Sequence, residues 1–323
     1  RYAYGSTGGA FAIDQGELQV TVEGAAHLGE AARMSWSPRG SPGYLTSNVL
    51  TWPADSTTRV RPSYLPESRK IVLNGRIGAG KIDTLRFAIR DPVRQATATF
   101  AGILEDVGVV LGGGSSIAWE AGELLGLGCR SGSVSTCPAA TPVAALRSPP
   151  LREIAAGILE PSQNWMTEQL IRTLGAERGE QGSWTEGIRV ITRFLVEDVG
   201  IDSLDVAPRD GSGLSAYNLV TPRALVRILR FMASGTSAQA YRHALAEPGE
   251  EGSTLSRRLE GLEGRLFAKT GTISNVNSLS GYLVREDGRE VVFSILSNGS
   301  GLPSSRVRAA IDDVVRILAG QRP

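Results

Sequence analysis

The sequence predicts an α/β protein of the α+β kind, with a β-rich first part followed by helices that cover an antiparallel sheet. Three observations predict it. Roughly the first 80 residues alternate apolar and polar positions between closely spaced turns. From residue 151 the apolar spacing becomes helical. Near the C-terminus, three consecutive strand-like runs precede one last amphipathic helix.

Each element has a local cause. GELQVTVEG (16–24) is a short alternating strand, and SRKIVLNGRIG and KIDTLRFAIR are two more, separated by glycines. Asp91 and Pro92 then open a helix, Asp91 as its cap and Pro92 at its first position. That helix should end near Asp106 and Gly108. A Gly-rich segment, a short apolar stretch and the two cysteines fill 111–147, and Pro149-Pro150 marks the domain boundary. Residues 1–147 and 148–323 are therefore expected to be separate units.

In the second unit, LREIAAGILE places Leu151, Ile154, Ala155, Ile158 and Leu159 on one helical face. NWMTEQLIRTLG is a second helix, expected to stop at Gly175. TEGIRVITRFLVEDVG and TPRALVRILRFMA follow, the last opened by Thr221-Pro222. GRLFAKTGTIS, SLSGYLVRE and REVVFSILSN are the three strands, with Lys269 expected near the end of the first. Asp287-Gly288 is a hairpin turn between the last two. Val291, Phe293 and Ile295 oppose Val292 and Leu296, so both faces of that sheet need cover. One cover is the final helix, striped by Val307, Ile311, Val314, Val315 and Leu318.

Composition narrows the function. Hydrophobic content of 41% and charged content of 21% fit a globular protein of 323 residues. A formal charge of +1 gives no strong overall field for nucleic acid, and no apolar run approaches the ~18 residues of a membrane span. Cys129 and Cys137 lie in a Gly/Ser-rich stretch. They either close a small ring in an oxidising compartment or stand as free thiols. A zinc site is not expected, because the only histidines, His27 and His243, are far away in sequence. His243 lies in AYRHALAEPGEEG, which reads as solvated surface.

GRIGAGKI (75–82) has phosphate-loop spacing, but Ile82 replaces the hydroxyl residue that holds magnesium, and a strand follows instead of a helix. A glycine-rich turn is the better reading. No nucleophile elbow is present, and DGSGLS (210–215) lacks the spacing and the preceding strand.

What remains is Lys269-Thr270-Gly271 with Ser162-Gln163-Asn164 upstream. Only three of the 34 basic residues are lysine, so a lysine at 269 is an exception. Alone, Ser-x-Asn could be no more than a helix N-cap. Together, the two triplets match two of the three motifs of penicillin-recognising serine enzymes.

The segments SPPLREIAAGILEPSQNWMTEQLIRTLG, DGSGLS and GRLFAKTGTISNVNSLSGYLVREDGREVVFSILSN resemble, in order and spacing, the D-alanyl-D-alanine carboxypeptidase family that includes penicillin-binding protein 4, the S13 peptidase type. YAYGSTGGAFAIDQGELQVTVEG and FAIRDPVRQATATFAGILEDVGV are similar to its inserted domains. The resemblance implies a penicillin-binding, transpeptidase-like domain over 148–323, with β-rich inserted domains over 1–147. It implies hydrolysis of peptidoglycan peptides through an acyl-enzyme, without a cofactor or metal, in a periplasmic or other extracytoplasmic compartment. The implied partners are peptidoglycan stem peptides and β-lactams; peripheral membrane association and oligomeric state stay open.

The implied roles fall on matching positions. Ser162 would relay a proton and Asn164 would hold the substrate amide. Lys269 would supply a compact positive charge that a forked guanidinium could not replace. Thr270 and Thr272 would bind the terminal carboxylate, with the Thr272 N–H as half of an oxyanion hole. Gly271 would let substrate lie against the strand. The sequence departs from the family in one respect: no Ser-x-x-Lys is present, since Glu67, Gly78 and Leu266 stand three places before the three lysines. A truncated piece of a longer enzyme, a chain completed by a separate part, and a non-catalytic relative that binds cell-wall peptide are the three explanations; the first is favoured. Ala216 also replaces an expected arginine, which leaves side-chain preference open.

Overall fold

A computed structural model describes residues 12–38, 45–65, 70–89, 91–112 and 146–321. Cys129 and Cys137 lie outside them. The chain divides into two compact units, Arg1–Arg147 and Ser148–Pro323.

Among the described residues, the first unit holds two three-stranded sheets and one helix. Strands β1 (Glu17–Glu23), β2 (Arg33–Ser37) and β6 (Ile82–Ala88) form the order β2–β1–β6, antiparallel throughout. Strands β3 (Leu45–Trp52), β4 (Arg59–Leu65) and β5 (Lys70–Gly78) form the order β3–β5–β4, with β3 and β5 parallel. Alternation explains the core. Leu18, Val20 and Val22 of β1 face Val49 of β3 and Leu73 and Ile77 of β5, all 1% exposed or less. The glycine-rich segment after β5 is a turn, and its Lys81 Nζ donates to the Ser56 carbonyl, 3.0 Å away. Helix α1 (Pro92–Asp106) begins as its first residues require, with the Asp91 carboxylate accepting from the Arg94 N–H.

The second unit carries a short ribbon, β7 (Val206–Ala207) paired with β8 (Leu219–Val220), and is built on the antiparallel sheet β11–β10–β9: β9 (Leu266–Ile273), β10 (Val276–Val284) and β11 (Glu290–Asn298). Both faces are covered. Helix α7 (Ser304–Ala319) lays Val307, Ile311, Val315 and Ala319 against Ala268, Leu279, Leu283 and Phe293. Val314, expected in that stripe, is 44% exposed, because the buried row follows a four-residue spacing and 314 falls beside it. On the opposite face Phe267, Tyr282 and Val292 meet Leu159 of α2 (Leu151–Leu159), Leu229 of α5 (Pro222–Ser234), Tyr241 of α6 (Ala238–His243), and Leu245. The Tyr282 hydroxyl donates to the Leu229 carbonyl at 2.6 Å.

Two further expectations are corrected. Helix α3 (Asn164–Arg178) runs through Gly175 and ends at Gly179. Gly175 is a packing residue: a Cβ there would lie 2.6 Å from the Gln181 carbonyl oxygen and 3.0 Å from the Gly187 N of α4 (Trp184–Arg193). AYRHALAEPGEEG is also not a solvated surface throughout. His243 is exposed and stands edge-on to Phe267, but Ala244, Leu245 and Ala246 are at most 1% exposed. The charge beside them is matched: Arg242 lies 4.9 Å from the Tyr282 ring centroid and pairs with Glu290 at 2.5 Å.

Candidate active site

The site forms where a tight turn meets the edge of a sheet. After α2, Glu160, Pro161 and Ser162 turn the chain before α3 starts at Asn164. Ser162 has φ +62°, a left-handed conformation unusual for a residue with a side chain. It does not cap the helix. Gln163 does, its side-chain oxygen accepting from the Trp165 N–H at 2.8 Å. The helix-cap explanation for Ser162 is thereby overturned, and its strained backbone places the hydroxyl elsewhere.

That hydroxyl lies at Lys269. The Lys269 ammonium donates to Ser162 Oγ at 2.8 Å and to the Thr270 carbonyl at 2.9 Å, joining residues 107 apart in sequence. Lys269 is the fourth residue of β9, in its middle and not near its end. Burial lowers its pKa to about 8, because the charged form loses water. A lysine lowered this far gives up its proton more readily than an ordinary lysine, which arginine would not do.

Strand β9 is an edge, and its outer side is closed over only part of its length. Ala246 and Ala268 exchange both backbone hydrogen bonds, at 3.1 and 2.9 Å. Ala268 thus directs its N–H and C=O away from β10. Alternation directs those of Thr270 and Thr272 the same way, and among the described residues no backbone strand continues past Ala246. Thr270 and Thr272 therefore present a short open edge beside the ammonium.

The remaining candidates sit as follows. Asn164 is the first residue of α3, and its carbonyl accepts from the Thr167 hydroxyl at 2.7 Å. The Thr270 hydroxyl donates to the Thr254 hydroxyl at 2.9 Å. Thr272 is exposed. A Cβ on Gly271 would lie 2.3 Å from Ser278 Oγ on β10, so this glycine makes room for a side chain of the sheet itself.

Two residues were not legible as site residues. Thr254 ties the halves together, since its N–H donates to the Glu160 carbonyl at 3.1 Å while its hydroxyl holds Thr270. Glu168, only 6% exposed, accepts from the N–H groups of Gly211 and Ser212 and docks DGSGLS on α3. Within that loop Asp210 accepts from Gly213 and Ser215 at 2.7 and 2.6 Å. A glutamate on a helix and a threonine in a turn-rich stretch carry no local sign of such partners. Among the described residues, no cluster of His, Cys, Asp and Glu could hold a metal.

Known proteins give this arrangement a context. The family model of the D-Ala-D-Ala carboxypeptidase 3 (S13) family matches residues 1–321. A D-alanyl-D-alanine carboxypeptidase of Actinomadura sp. (strain R39) is 30% identical over 98% of this chain and 58% of its own length. A penicillin-sensitive carboxypeptidase A of Dictyostelium discoideum is 24% identical over 98% of this chain and 60% of its own length. The chain thus spans somewhat under two thirds of these curated relatives. In fold, penicillin binding protein 4 of Haemophilus influenzae, solved with a β-lactam, superposes with a TM-score of 0.73 at 20% identity over 96% of this chain and 70% of that one.

Proposed function

We propose, from the premise that this chain belongs to the D-Ala-D-Ala carboxypeptidase 3 (S13) family, that it forms the substrate-holding side of a serine-type carboxypeptidase or endopeptidase acting on peptidoglycan peptides. The carrying observation is the hydrogen bond from the Lys269 ammonium to Ser162 Oγ, beside an open strand edge. In this reading residues 148–323 are the C-terminal part of a transpeptidase-like domain, and residues 1–147 are accessory.

The chemistry follows from the donors. A peptide ending in D-Ala-D-Ala pairs with the edge as an added strand, using the outward groups of Thr270 and Thr272. Its terminal carboxylate meets the Lys269 charge and the hydroxyls of Thr270 and Thr272, and Asn164 holds its amide. An attacking serine adds to the carbonyl carbon of the penultimate residue, and its hydroxyl proton passes to the lysine that accompanies it. The Thr272 N–H then donates to the developing oxyanion, a contribution typically worth ~3 kcal/mol. The C–N bond breaks, Ser162 passes a proton to the departing amine, and the acyl group stays on the attacking serine as an ester. Water cleaves the ester and restores the serine. A β-lactam enters the same site, its lactam C–N bond breaks, and the opened ring stays on the attacking serine as an ester. The attacking serine and its lysine come from a Ser-x-x-Lys segment that these 323 residues do not contain. A cell-wall substrate places the protein outside the cytoplasm.

The missing Ser-x-x-Lys favours a second reading, in which the chain binds D-Ala-D-Ala peptides without turning them over. One pair of experiments separates the two. Calorimetry of this chain with a D-Ala-D-Ala peptide should show binding under either reading; no heat of binding refutes both. Fluorescent penicillin should covalently label the protein that carries the Ser-x-x-Lys segment, and absence of a covalent adduct leaves only the binding protein.

A further inference from the structure

We infer that the outer face of the β3–β5–β4 sheet is a binding surface for an anionic glycan. The choice of a glycan rests on the cell-wall reading above. The surface itself rests on charge and geometry in the first unit.

Strands β3, β4 and β5 read LTSNVLTW, RVRPSYL and KIVLNGRIG, and none contains Asp or Glu. They do carry Arg59, Arg61, Lys70 and Arg76. Alternation sends all four to the outer face, since Val60, Tyr64, Ile71, Leu73 and Ile77 occupy the inner one. Arg59 and Arg76 stand directly opposite each other in the register. Like charges in that position repel, and no carboxylate on these strands offsets them. The outer face of the neighbouring sheet differs: Glu17 of β1 lies 3.9 Å from Arg86 of β6, and Glu23 stands opposite Arg33. The chain's near-neutral net charge hides this local excess.

Exposed apolar groups and aligned amides complete the surface. Leu50, Trp52 and Leu65 are 46%, 44% and 46% exposed. The Arg76 guanidinium lies 4.3 Å from the centroid of the Trp52 ring, and its Nε has no hydrogen-bond partner. Between these groups Asn48 donates to Asn74, and Asn74 to Ser63, a ladder of side chains across all three strands. Guanidiniums at opposed positions suit carboxylates. An aromatic surface beside amide and hydroxyl groups suits the apolar and hydroxyl faces of a sugar. A carboxylate-bearing polysaccharide presents both along one strand.

The test is capture of the whole 323-residue chain on sedimentable beads that carry purified peptidoglycan, either intact or reduced to its glycan strands by an amidase. Wild type should pellet with both, less as salt screens the contacts. Arg59→Ala/Arg76→Ala should bind about tenfold more weakly, and Trp52→Ala a few-fold more weakly. Circular dichroism monitors folding, and Arg59→Glu, at an exposed position, serves if the Trp52 variant does not fold. Lys269→Ala should pellet with stripped glycan like wild type, which keeps this test independent of the peptide site. Unchanged pelleting of the Arg59/Arg76 variant, no capture by stripped glycan, or tighter capture by anionic phospholipid vesicles would each overturn the proposal.

Discussion

The two halves of β9 obey different rules. Leu266, Phe267 and Ala268 are nearly sealed, packed between α7 on one face and α2, α5 and α6 on the other, and Ala246 closes the outer edge at 268. From Lys269 to Thr272 the same strand carries a desolvated ammonium, two hydroxyls and an open edge. One half gains free energy by burial, and the other retains a cost that burial imposes on charge. A single strand thus holds a desolvated ammonium through the hydrogen bonds and packing of its neighbours.

Substitutions at either end should break or sharpen this contrast. The largest effect is expected at the sealed end, where Leu266→Ala should lower unfolding stability by about 2–5 kcal/mol in a denaturant titration. Peptide affinity of the remaining folded fraction should stay within about twofold. At the open end Lys269→Met should do the reverse. Affinity for D-Ala-D-Ala peptide should fall by about 10²–10³-fold, with melting temperature unchanged or raised, because a buried charge is replaced by an apolar side chain of similar length. A clear drop in melting temperature would mean that Lys269 is structural, and the contrast would fail.

Next in size is pH. Binding that needs the Lys269 ammonium should be present below its pKa of about 8 and fall toward tenfold per pH unit above it. Stability should move the other way. The folded-state pKa lies below the ordinary 10.5, so the unfolded chain holds more protons between those values, and stability rises with pH across that window. Parallel titrations of affinity and unfolding should therefore run in opposite directions, and Lys269→Met should flatten both. The smallest effect belongs to Thr254, which ties the turn after α2 to the open half of β9. Thr254→Val removes the hydroxyl bond to Thr270 and should weaken peptide binding by about 1 kcal/mol, roughly fivefold. Thr254→Ser should restore it, and equal weakening in both variants would show that the hydroxyl plays no part.

Much of the fold was legible because its causes are local. Asp91 and Thr221 cap the helices that their side chains announced, and each is followed by a proline at the first helical position. The alternation of β1 survived folding, and the three C-terminal strands formed a sheet covered on both faces, as their apolar residues require. Where local cues misled, a distant partner had intervened. Gly175 looks like a helix end but serves a close approach between α3 and α4. The strands β2, β3 and β4 were legible only as β-rich texture, since their pairing depends on β1 and β5.

By itself the sequence determined which residue types could act: a rare lysine in Lys-Thr-Gly, a Ser-x-Asn after a proline, and strands that must be covered on both faces. Periodicity and capping are properties of neighbours along the chain, so they can be read in one dimension. Tertiary structure decided that the Ser162 turn reaches the middle of β9, that Ala246 stops where the open edge begins, and that Thr254 spans both sides. Desolvation and hydrogen bonding depend on what surrounds a group in space, and residues 107 positions apart become neighbours only when the chain has folded.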